Sequence, residues 1–227
     1  MHTPQFAVHN LGKQVTTSDG PLHILTDLTF SINAGQSVAI VGESGSGKST
    51  LLGLLAGLDV PSCGDVHFDG QSFAALNEDQ RAQLRAQHTG FVFQSFLLLQ
   101  ALTALENIML PAELSGLPDA RQRALALLER VGLSHRADFF PGQLSGGEQQ
   151  RVALARAFIT MPKVLFADEP SANLDAATGK RIEDLLFELN EQHQTTLILV
   201  THNPTLAQRC QRQLRIAAGR LVEDSAC

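Results

Sequence analysis

The residues with the clearest chemical purpose form a glycine-rich loop at residues 42–50. They fit the phosphate-binding pattern G-x-x-x-x-G-K-[ST], known as Walker A. Glycine permits backbone conformations in which successive N–H groups converge on one anion. The loop predicts a nucleotide site, with Lys48 on the β- and γ-phosphates and the Ser49 hydroxyl on Mg²⁺. The residues assigned to this site are Gly42, Glu43, Ser44, Gly45, Ser46, Gly47, Lys48, Ser49 and Thr50.

A second candidate anion site lies at residues 145–148. Ser145 with Glu148 forms a capping box, which predicts that a helix begins there. Gly146 and Gly147 stand in the first turn, where each costs about 1 kcal/mol relative to alanine. That cost indicates that the backbone N–H groups of this turn must lie against something bulky and anionic.

Two carboxylates and a histidine follow apolar runs elsewhere in the chain. Asp168 and Glu169 come directly after 164–167, and His202 comes after 196–201. In a chain with a phosphate-binding loop, this pattern predicts that Asp168 holds Mg²⁺ through water and that Glu169 polarises the attacking water. His202 is expected to face the ligand, because ligands bind at the carboxyl ends of strands in open α/β sheets.

Short apolar runs predict the strands that must position these groups. Residues 37–41 precede the glycine loop and 49–56 follow it as a helix. Strands are also predicted at 5–11 and 24–32, where Leu28, Phe30 and Ile32 alternate with polar residues, and Gly20-Pro21 is the expected turn between them. Val66–Phe68, Phe91–Phe93 and a hairpin around Gly219 complete the strand pattern.

The predicted helices concentrate in the middle of the chain. Asn77 is expected to cap a helix to Gln87, and Thr103 with Glu106 forms a second capping box. A helix from Pro118 with an apolar stripe should stop at Gly132. We therefore predict an α/β protein of one domain, 1–227, with a parallel sheet, an antiparallel β flap and a helical lobe inserted at 95–160.

Composition excludes several classes of protein. The chain has 227 residues, 44% of them hydrophobic, and a net charge of −6 without a basic stripe, so no nucleic-acid partner is expected. Cys63, Cys210 and Cys227 fit neither a disulfide framework nor a zinc site. Met1–Gln5 lacks signal-peptide features, and no apolar run approaches the roughly 18 residues of a membrane span. We expect a cytosolic protein whose membrane span, where one is needed, belongs to another chain.

Taken together, these motifs resemble the ATP-binding-cassette (ABC) ATPases over nearly the whole chain. The matching elements are Walker A at 42–50, the Q-loop at Gln94, the signature Leu144–Glu148, Walker B at 164–168 with Glu169, the D-loop ending in Asp175, and the H-loop at His202. Within the family, the resemblance is to the LolD/MacB-like group. The stretches behind this are Phe91–Phe96, Thr103–Asn107 and Phe166–Pro170.

The resemblance implies a mechanism that uses both anion sites. Two copies would form a head-to-tail homodimer around two ATP molecules, so that Ser145, Gly146 and Gly147 of one copy, together with the neighbouring Glu148, complete the γ-phosphate site of the other. By the same resemblance, Glu169, His202 and Gln94 are catalytic residues. Ser49, Gln94 and Asp168 would serve the metal ion, and Asp175 would act in the D-loop.

The family also implies a partner in the membrane. The ATPase would lie on the cytoplasmic face of the inner membrane and drive an integral permease of the MacB or FtsX kind, with lipophilic cargo at the cell envelope. A permease helix would dock beside the Q-loop, which makes Phe96, Leu97 and Leu98 candidate contacts. The alternative, that these three residues belong to the core of the helical lobe, is equally open.

The sequence departs from the family pattern in two places. Val15 stands where an aromatic residue usually stacks on adenine, and the chain has no Tyr or Trp. We therefore predict that adenine rests on an aliphatic surface and that discrimination between bases is weakened. Asn203 follows His202 where the family commonly has Asp.

Three other functions are alternatives to a transport ATPase. An FtsE-like ATPase would signal mechanically across the membrane without transport. A soluble cassette protein of DNA repair or translation would carry heptad insertions or a second cassette, and neither is present in the sequence. An unrelated P-loop GTPase or kinase has no use for LSGGE, and a GTPase needs a guanine-reading N-K-x-D that is absent.

Overall fold

The structure is a computed structural model that describes residues 4–18 and 20–226. The N-terminal stretch Met1–Gln5 lies partly, and Cys227 wholly, outside these residues. The chain divides into two compact units, one drawn from Met1–Arg85 with Thr196–Cys227 and the other from Ala86–Thr195. Within the described residues, no helix is long and apolar enough to cross a membrane.

The first unit contains the antiparallel sheet that the sequence predicts. Its strand order is β2-β1-β4-β5. Leu28, Phe30 and Ile32 are buried and the residues between them are exposed, which confirms the predicted alternation. The strands are β1 (Phe6–Thr17), β2 (Gly20–Ile32), β4 (Cys63–Phe68) and β5 (Gln71–Ser72).

The predicted turn at Gly20-Pro21 is wrong. Both residues lie in β2, paired with Thr17 and Thr16 of β1. Proline lacks the N–H that a central strand needs, but β2 is at the edge of its sheet, where the missing donor is tolerated. The Gly-Pro signal therefore marks the start of an edge strand and not the reversal of the chain.

The first unit also contains the strands around the glycine loop. β3 (Ser37–Val41) pairs in parallel with β8 (Thr196–Val200) and with β9 (Arg212–Ala217). β9 returns antiparallel as β10 (Arg220–Ala226), which confirms the hairpin around Gly219. The central residues of β3 and β8 are buried, as expected for strands covered on both faces. Ile40 pairs with Val200, so the carboxyl ends of β3 and β8 meet.

Three helices accompany these strands in the sequence. Asn77 and Gln80 exchange hydrogen bonds between side chain and backbone, which confirms the predicted cap of α2. Asn203 caps the short α7 by accepting from the N–H groups of Thr205 and Leu206. The helices are α1 (Lys48–Leu55), α2 (Glu78–His88) and α7 (Pro204–Ala207).

The second unit combines one parallel strand pair with four helices. β6 (Thr89–Phe93) and β7 (Val164–Asp168) run in parallel with Phe93 opposite Asp168. Residues 95–160 contain helices and 3-10 turns without a strand, as predicted, and their status as an inserted lobe stays a prediction. The helices are α3 (Ala104–Leu114), α4 (Ala120–Arg130), α5 (Gly146–Phe158) and α6 (Ala176–His193).

Most helix boundaries in this unit follow their predicted caps. Thr103 and Ser145 both form complete capping boxes, and Gly132, with φ +69°, follows the end of α4. The predicted start of α4 at Pro118 is wrong by two residues, since the helix begins at Ala120. Asp119 has φ +58°, a left-handed conformation that delays the helix to Ala120.

Candidate functional site

The glycine loop of the first unit is held from behind by two neighbouring elements. A Cβ on Gly42 would lie 2.1 Å from the backbone oxygen of Ile216 in β9, and one on Gly47 would lie 2.6 Å from the Leu25 side chain in β2. Both glycines have positive φ, at +152° and +104°. Glycine is therefore required at both positions by packing as well as by conformation.

The hairpin turn at Gly219 fixes the same loop through hydrogen bonds. The N–H of Gly219 donates to the oxygen of Ser46 at 3.2 Å, and the N–H of Thr26 donates to the oxygen of Gly219 at 2.8 Å. The C-terminal hairpin and β2 thus support the loop from its far side. The sequence did not indicate that a turn nearly 180 residues away would carry this role.

Lys48 lies across the mouth of the loop. Its Nζ donates to the backbone oxygens of Gly42 at 2.9 Å and Glu43 at 2.7 Å. The N-terminus of α1 has no side-chain cap, because Gly47 stands at the N-cap position. The first N–H groups of a helix have no partner inside it, so this end of α1 offers donors and positive potential to an anion.

The donor groups of the glycine loop fit a phosphate ligand. The Ser46 hydroxyl is buried and makes no hydrogen bond within the described chain, so it can donate to an oxygen placed in the loop. Lys48 supplies the positive charge, and Ser49, at the exposed start of α1, supplies a hydroxyl of the type that Mg²⁺ accepts. The donor set fits a nucleotide phosphate with a hard cation.

His202 lies beside this loop, at the carboxyl ends of β3 and β8. A cavity of about 240 Å³ there is lined by Gly42, Glu43, Thr201, His202, Asn203 and Arg215, among others. The side-chain oxygen of Asn203 caps α7. The backbone N–H of Asn203 donates to the Thr201 hydroxyl at 3.1 Å. Asparagine is as good an N-cap as aspartate, so the departure from the family pattern at this position leaves the local turn well supported.

Val15 lies in β1, half-buried and opposite Leu22 of β2. Leu22 is 54% exposed. Val15 and Leu22 therefore form an aliphatic pair on these two strands, and contact of Val15 with a base stays a prediction.

In the second unit, the parallel pairing of β6 with β7 brings the predicted Q-loop and Walker B residues together. Phe93 is opposite Asp168, so Gln94 and Glu169 follow at neighbouring strand ends. Glu169 has φ +48°, a left-handed conformation that costs a non-glycine residue free energy. Backbone strain of this kind clusters at functional sites.

Asn173 joins the Q-loop to the D-loop, and sequence reasoning missed it. The Gln94 Nε2 donates to the Asn173 Oδ1 at 3.0 Å, and the Asn173 Nδ2 donates to the backbone oxygen of Gln94 at 3.1 Å. This reciprocal pair fixes the orientation of the Gln94 side-chain amide, because its nitrogen faces Asn173. The Gln94 Oε1, the atom suited to a metal ion, is directed away from Asn173.

The signature turn satisfies its own helix end. The Ser145 N–H and hydroxyl both donate to the Glu148 Oε2 at 2.8 Å, and the Ser145 Oγ accepts from the Glu148 N–H at 3.3 Å. Arg136 donates to the other oxygen of Glu148 at 3.1 Å. The backbone N–H of Ser145, then its hydroxyl and Arg136, hold the pKa of Glu148 below its ordinary value, against the opposing effect of burial.

The two signature glycines differ in how closely neighbouring atoms approach them. A Cβ on Gly147 would lie 2.4 Å from the methyl group of Thr178 in α6, whereas one on Gly146 would meet its nearest neighbour, the Leu174 side chain, at 3.4 Å. The inference that both glycines make room for an anion is therefore incomplete. Gly147 is required by the close approach of α5 and α6, and only Gly146 is left without a packing reason.

The D-loop lies directly beside the signature. Asp175 caps α6 by accepting from the N–H groups of Ala177 and Thr178. Hydrogen bonds from Thr178, from its side chain first, hold the pKa of Asp175 below its ordinary value. A cavity of about 330 Å³ opens here, and its lining includes Ser145, Gly147, Arg151, Asn173, Asp175 and Arg181. The opening is lined by two arginines and also by the carboxylates of Glu148 and Asp175, so its charge by itself does not select an anion.

The apolar residues after Gln94 are predicted either to contact a permease or to belong to the core of the helical lobe, and they differ in burial. Leu98 is buried, whereas Leu97 is 55% exposed and Phe96 is half-buried. Phe96 and Leu97 both have positive φ, and the Arg156 guanidinium binds their backbone oxygens at 3.0 and 2.6 Å. Leu98 therefore belongs to the core of its unit, and Leu97 is presented to the outside.

The fold and these motifs define a P-loop ATPase of the cassette type. The chain belongs to the ABC transporter family, whose model matches residues 25–172. It is an ABC transporter ATP-binding subunit with the α/β fold of ABC ATPases, as the motifs predicted.

Individual relatives narrow the resemblance. The chain is 56% identical to the ABC transporter ATP-binding protein YbbA of Escherichia coli K12 over 220 residues, 96% of each chain. It is 48% identical to the lipoprotein-releasing system ATP-binding protein LolD of Hydrogenovibrio crunogenus over 215 residues, 94% of each. The predicted similarity to the group that includes LolD is thereby confirmed.

Two solved structures share the fold over nearly the full chain. The dimeric ATP-binding cassette MJ0796 in a post-hydrolysis state with ADP and Pi has a TM-score of 0.89 at 37% identity, covering 97% of this chain and 98% of that one. CbiO1 of Clostridium perfringens, part of the transporter complex CbiONQ, has a TM-score of 0.86 at 30% identity, covering 99% and 89%.

Proposed function

We propose that two copies of this chain bind two ATP molecules between the P-loop of one copy and the signature turn of the other. The observation that carries the proposal is the uncapped, lysine-bearing N-terminus of α1, which offers an anion site built by glycine packing. The dimeric structures of MJ0796, one of them with ADP and Pi, support a dimer that binds nucleotide. Two copies related by a two-fold axis would make two equivalent sites.

The roles of the residues follow from their chemistry. Lys48 and the loop N–H groups would bind the β- and γ-phosphates, and the hydroxyls of Ser46 and Thr50 would support them. Ser49, Asp168 and Gln94 would hold Mg²⁺, which neutralises charge on the phosphates when bound. Glu169 would orient the attacking water and accept its proton, while His202 and Gln94 would sense the γ-phosphate. Ser145, Gly146 and Gly147 would close the site from the other copy, with Asp175 beside them.

Hydrolysis would drive a separate membrane protein. The relatives named LolD belong to lipoprotein-releasing systems. On that basis we propose a YbbP-, MacB- or FtsX-like permease and lipoprotein-type or other lipophilic cargo, with the ATPase on the cytoplasmic face of the inner membrane. The exposed Leu97, three residues after Gln94, supports a docking surface in which permease contact and the state of the ATP site are linked.

The dimer is tested by removing the proton acceptor. Glu169→Gln keeps the size of the side chain but should prevent hydrolysis, so that ATP with Mg²⁺ holds two copies together. Light scattering on the size-exclusion eluate should show a dimer with ATP and a monomer with ADP. A variant that stays monomeric with saturating ATP and Mg²⁺, even with the co-purified membrane protein, would contradict the proposal.

The docking surface is tested with a charge. Leu97→Glu places a carboxylate on the exposed face. The backbone at this position must be left-handed for either residue, so the substitution changes only the side chain. We expect the membrane partner to be lost from the purified complex, while the melting temperature stays close to that of the wild type. Leu125→Glu, on an exposed position of α4, is the matched control and should retain the partner.

Base selectivity is tested by comparing two nucleotides. Stacking on an aromatic side chain is worth about 1–3 kcal/mol per base, and Val15 cannot supply it. We expect the wild type to hydrolyse ATP and GTP at comparable rates, and Val15→Tyr to bind ATP about tenfold more tightly. A wild-type protein that already hydrolyses GTP far more slowly than ATP would overturn this part of the proposal.

A further inference from the structure

Gln150 is a fully buried amide in the second turn of the signature helix α5. Its side chain has no exposed surface, and its Nε2 donates to the backbone oxygen of Pro170 at 2.6 Å. The same nitrogen lies 3.5 Å from the backbone oxygen of Phe93. Its Oε1 is buried and makes no hydrogen bond within the described part of the chain.

Packing alone does not account for an amide at this position. A buried polar atom without a partner costs about 1–3 kcal/mol. Gln150 is on the apolar face of α5, in the row that continues to Ala153 and Leu154, both without exposed surface. Methionine has a similar volume but would leave the Pro170 oxygen without this donor, so the amide is required for its hydrogen bond to the backbone and not for its bulk.

The two backbone oxygens next to Gln150 belong to the strand ends that carry the proposed catalytic groups. Pro170 directly follows Glu169, whose backbone is held in the left-handed conformation. Phe93 directly precedes Gln94, and it pairs with Asp168 in the sheet. One side chain of α5 therefore contacts the backbone beside Glu169 and the backbone beside Gln94.

The same helix begins at the signature turn. Gly147 and Gln150 are three residues apart, about 4.5 Å along the helix axis, and lie on one face of α5. Gly147 packs directly against Thr178, which leaves little room for the first turn to move independently of the helix. A displacement of the signature turn would then move Gln150 and, through its 2.6 Å hydrogen bond, Pro170.

We infer that Gln150 is a positioning residue that transmits the state of the signature turn to the backbone carrying Glu169. The inference rests on the proposed function, because the signature of one copy would meet the nucleotide bound by the other. Gln150 would then place Glu169 of one site according to the nucleotide in the second site. Hydrolysis in one site would then be faster when the other site is filled.

The test separates positioning from assembly with Gln150→Met. We expect kcat for ATP hydrolysis to fall about tenfold or more, since small misplacements of catalytic groups have effects of this size. KM for ATP should change less than about threefold. We expect the wild-type rate to depend sigmoidally on ATP concentration and the rate of the variant to depend hyperbolically on it. In the double variant with Glu169→Gln, ATP should still produce a dimer. Gln192→Met, an exposed glutamine of α6, is the matched control.

Each contrary result has a defined meaning. A Gln150→Met variant with unchanged kcat and unchanged sigmoidicity overturns the inference, and so does a folded variant that no longer dimerises with ATP. If Gln150→Met does not fold, Gln150→Asn retains an amide that is one methylene too short for Pro170, and the same loss of kcat at nearly constant KM is expected. A wild-type protein without ATPase activity would instead contradict the proposed function.

Discussion

The N-terminus of α1 in one copy and the N-terminus of α5 in the other are proposed to meet the same nucleotide, and they are built in opposite ways. α1 begins at Lys48 without a side-chain cap, behind a loop that β2 and β9 keep free of side chains. α5 begins after Ser145 with a complete capping box, and its carboxylate is further paired with Arg136.

The contrast indicates a division of labour. We expect the end of α1 to bind an anion by itself, because within the described residues no carboxylate caps this helix or accepts a hydrogen bond from Lys48. The satisfied end of α5 carries Glu148, which stays ionised and opposes an anion. The signature turn is therefore a weak anion site alone, suited to act only when another copy presents a nucleotide already bound by its P-loop.

The largest expected effect is at Lys48. Lys48→Met removes the cation of the P-loop, and loss of one such charge-stabilising group costs about 10²–10³ in rate. We expect hydrolysis to become undetectable and ATP affinity to fall, measured with a phosphate-release assay and a fluorescent ATP analogue. Lys13→Met is the control, because Lys13 of β1 pairs with Asp59 and the backbone oxygen of Val60 in the segment between α1 and β4. Equal losses in the two variants would contradict a specific role for Lys48.

The next effect separates the two signature glycines. Gly147→Ala places a methyl group against Thr178, and overpacking of this kind costs about 1–3 kcal/mol. For a chain of this size the melting temperature should fall by about 2–4 °C per kcal/mol. Thr178→Ser removes the opposing methyl group and should restore stability to the double variant.

Gly146→Ala is the matched comparison, since its Cβ would make only an ordinary contact of 3.4 Å. We expect little change in melting temperature and a lower affinity of ATP-driven association in the Glu169→Gln background, measured by light scattering. If Gly146→Ala unfolds the protein as much as Gly147→Ala does, the distinction between the two glycines is wrong.

A smaller effect is expected at the D-loop. Asp175→Ala removes the cap of α6 and should cost about 1 kcal/mol of unfolding free energy. Asp175→Asn retains an acceptor for the N–H groups of Ala177 and Thr178 and should be close to wild type in a denaturant titration. A full loss in Asp175→Asn would show that the charge, and not the cap, provides the stability.

The smallest effect is expected at Glu148. Glu148→Gln can keep the capping box while removing the negative charge, so ATP-driven association should occur at somewhat lower ATP concentration. The variant should also be less sensitive to acid. Because the pKa of Glu148 is lowered on folding, its contribution to stability is present above the ordinary pKa of 4.5 and is lost as the pH falls through the lowered value. Identical acid unfolding of variant and wild type, followed by circular dichroism, would contradict this assignment.

The sequence predicts well the features that depend on neighbouring residues. The capping boxes at Thr103 and Ser145, the cap at Asn77 and the stop at Gly132 are local hydrogen-bond and backbone effects, and the structure confirms them. The resemblance of the ordered motifs to one family also led to the correct fold.

The features that the sequence did not predict are contacts between distant segments. The pairing of Gln94 with Asn173, the bond from Gln150 to Pro170 and the contact of Gly147 with Thr178 link residues that are 20 to 79 positions apart or lie on different helices. A glutamine on the apolar face of α5 was the one local signal available, because a buried polar side chain needs a partner.

The most direct measurement mixes two defective variants. Lys48→Met damages the P-loop, and Gly146→Asp places a carboxylate in the signature turn, so neither variant alone can form a sound site. In a mixed dimer, one site combines the intact P-loop of one copy with the intact signature of the other. The account predicts that ATP hydrolysis returns on mixing and is greatest at equal amounts of the two variants. Absence of hydrolysis at every mixing ratio, with both variants folded, would contradict it.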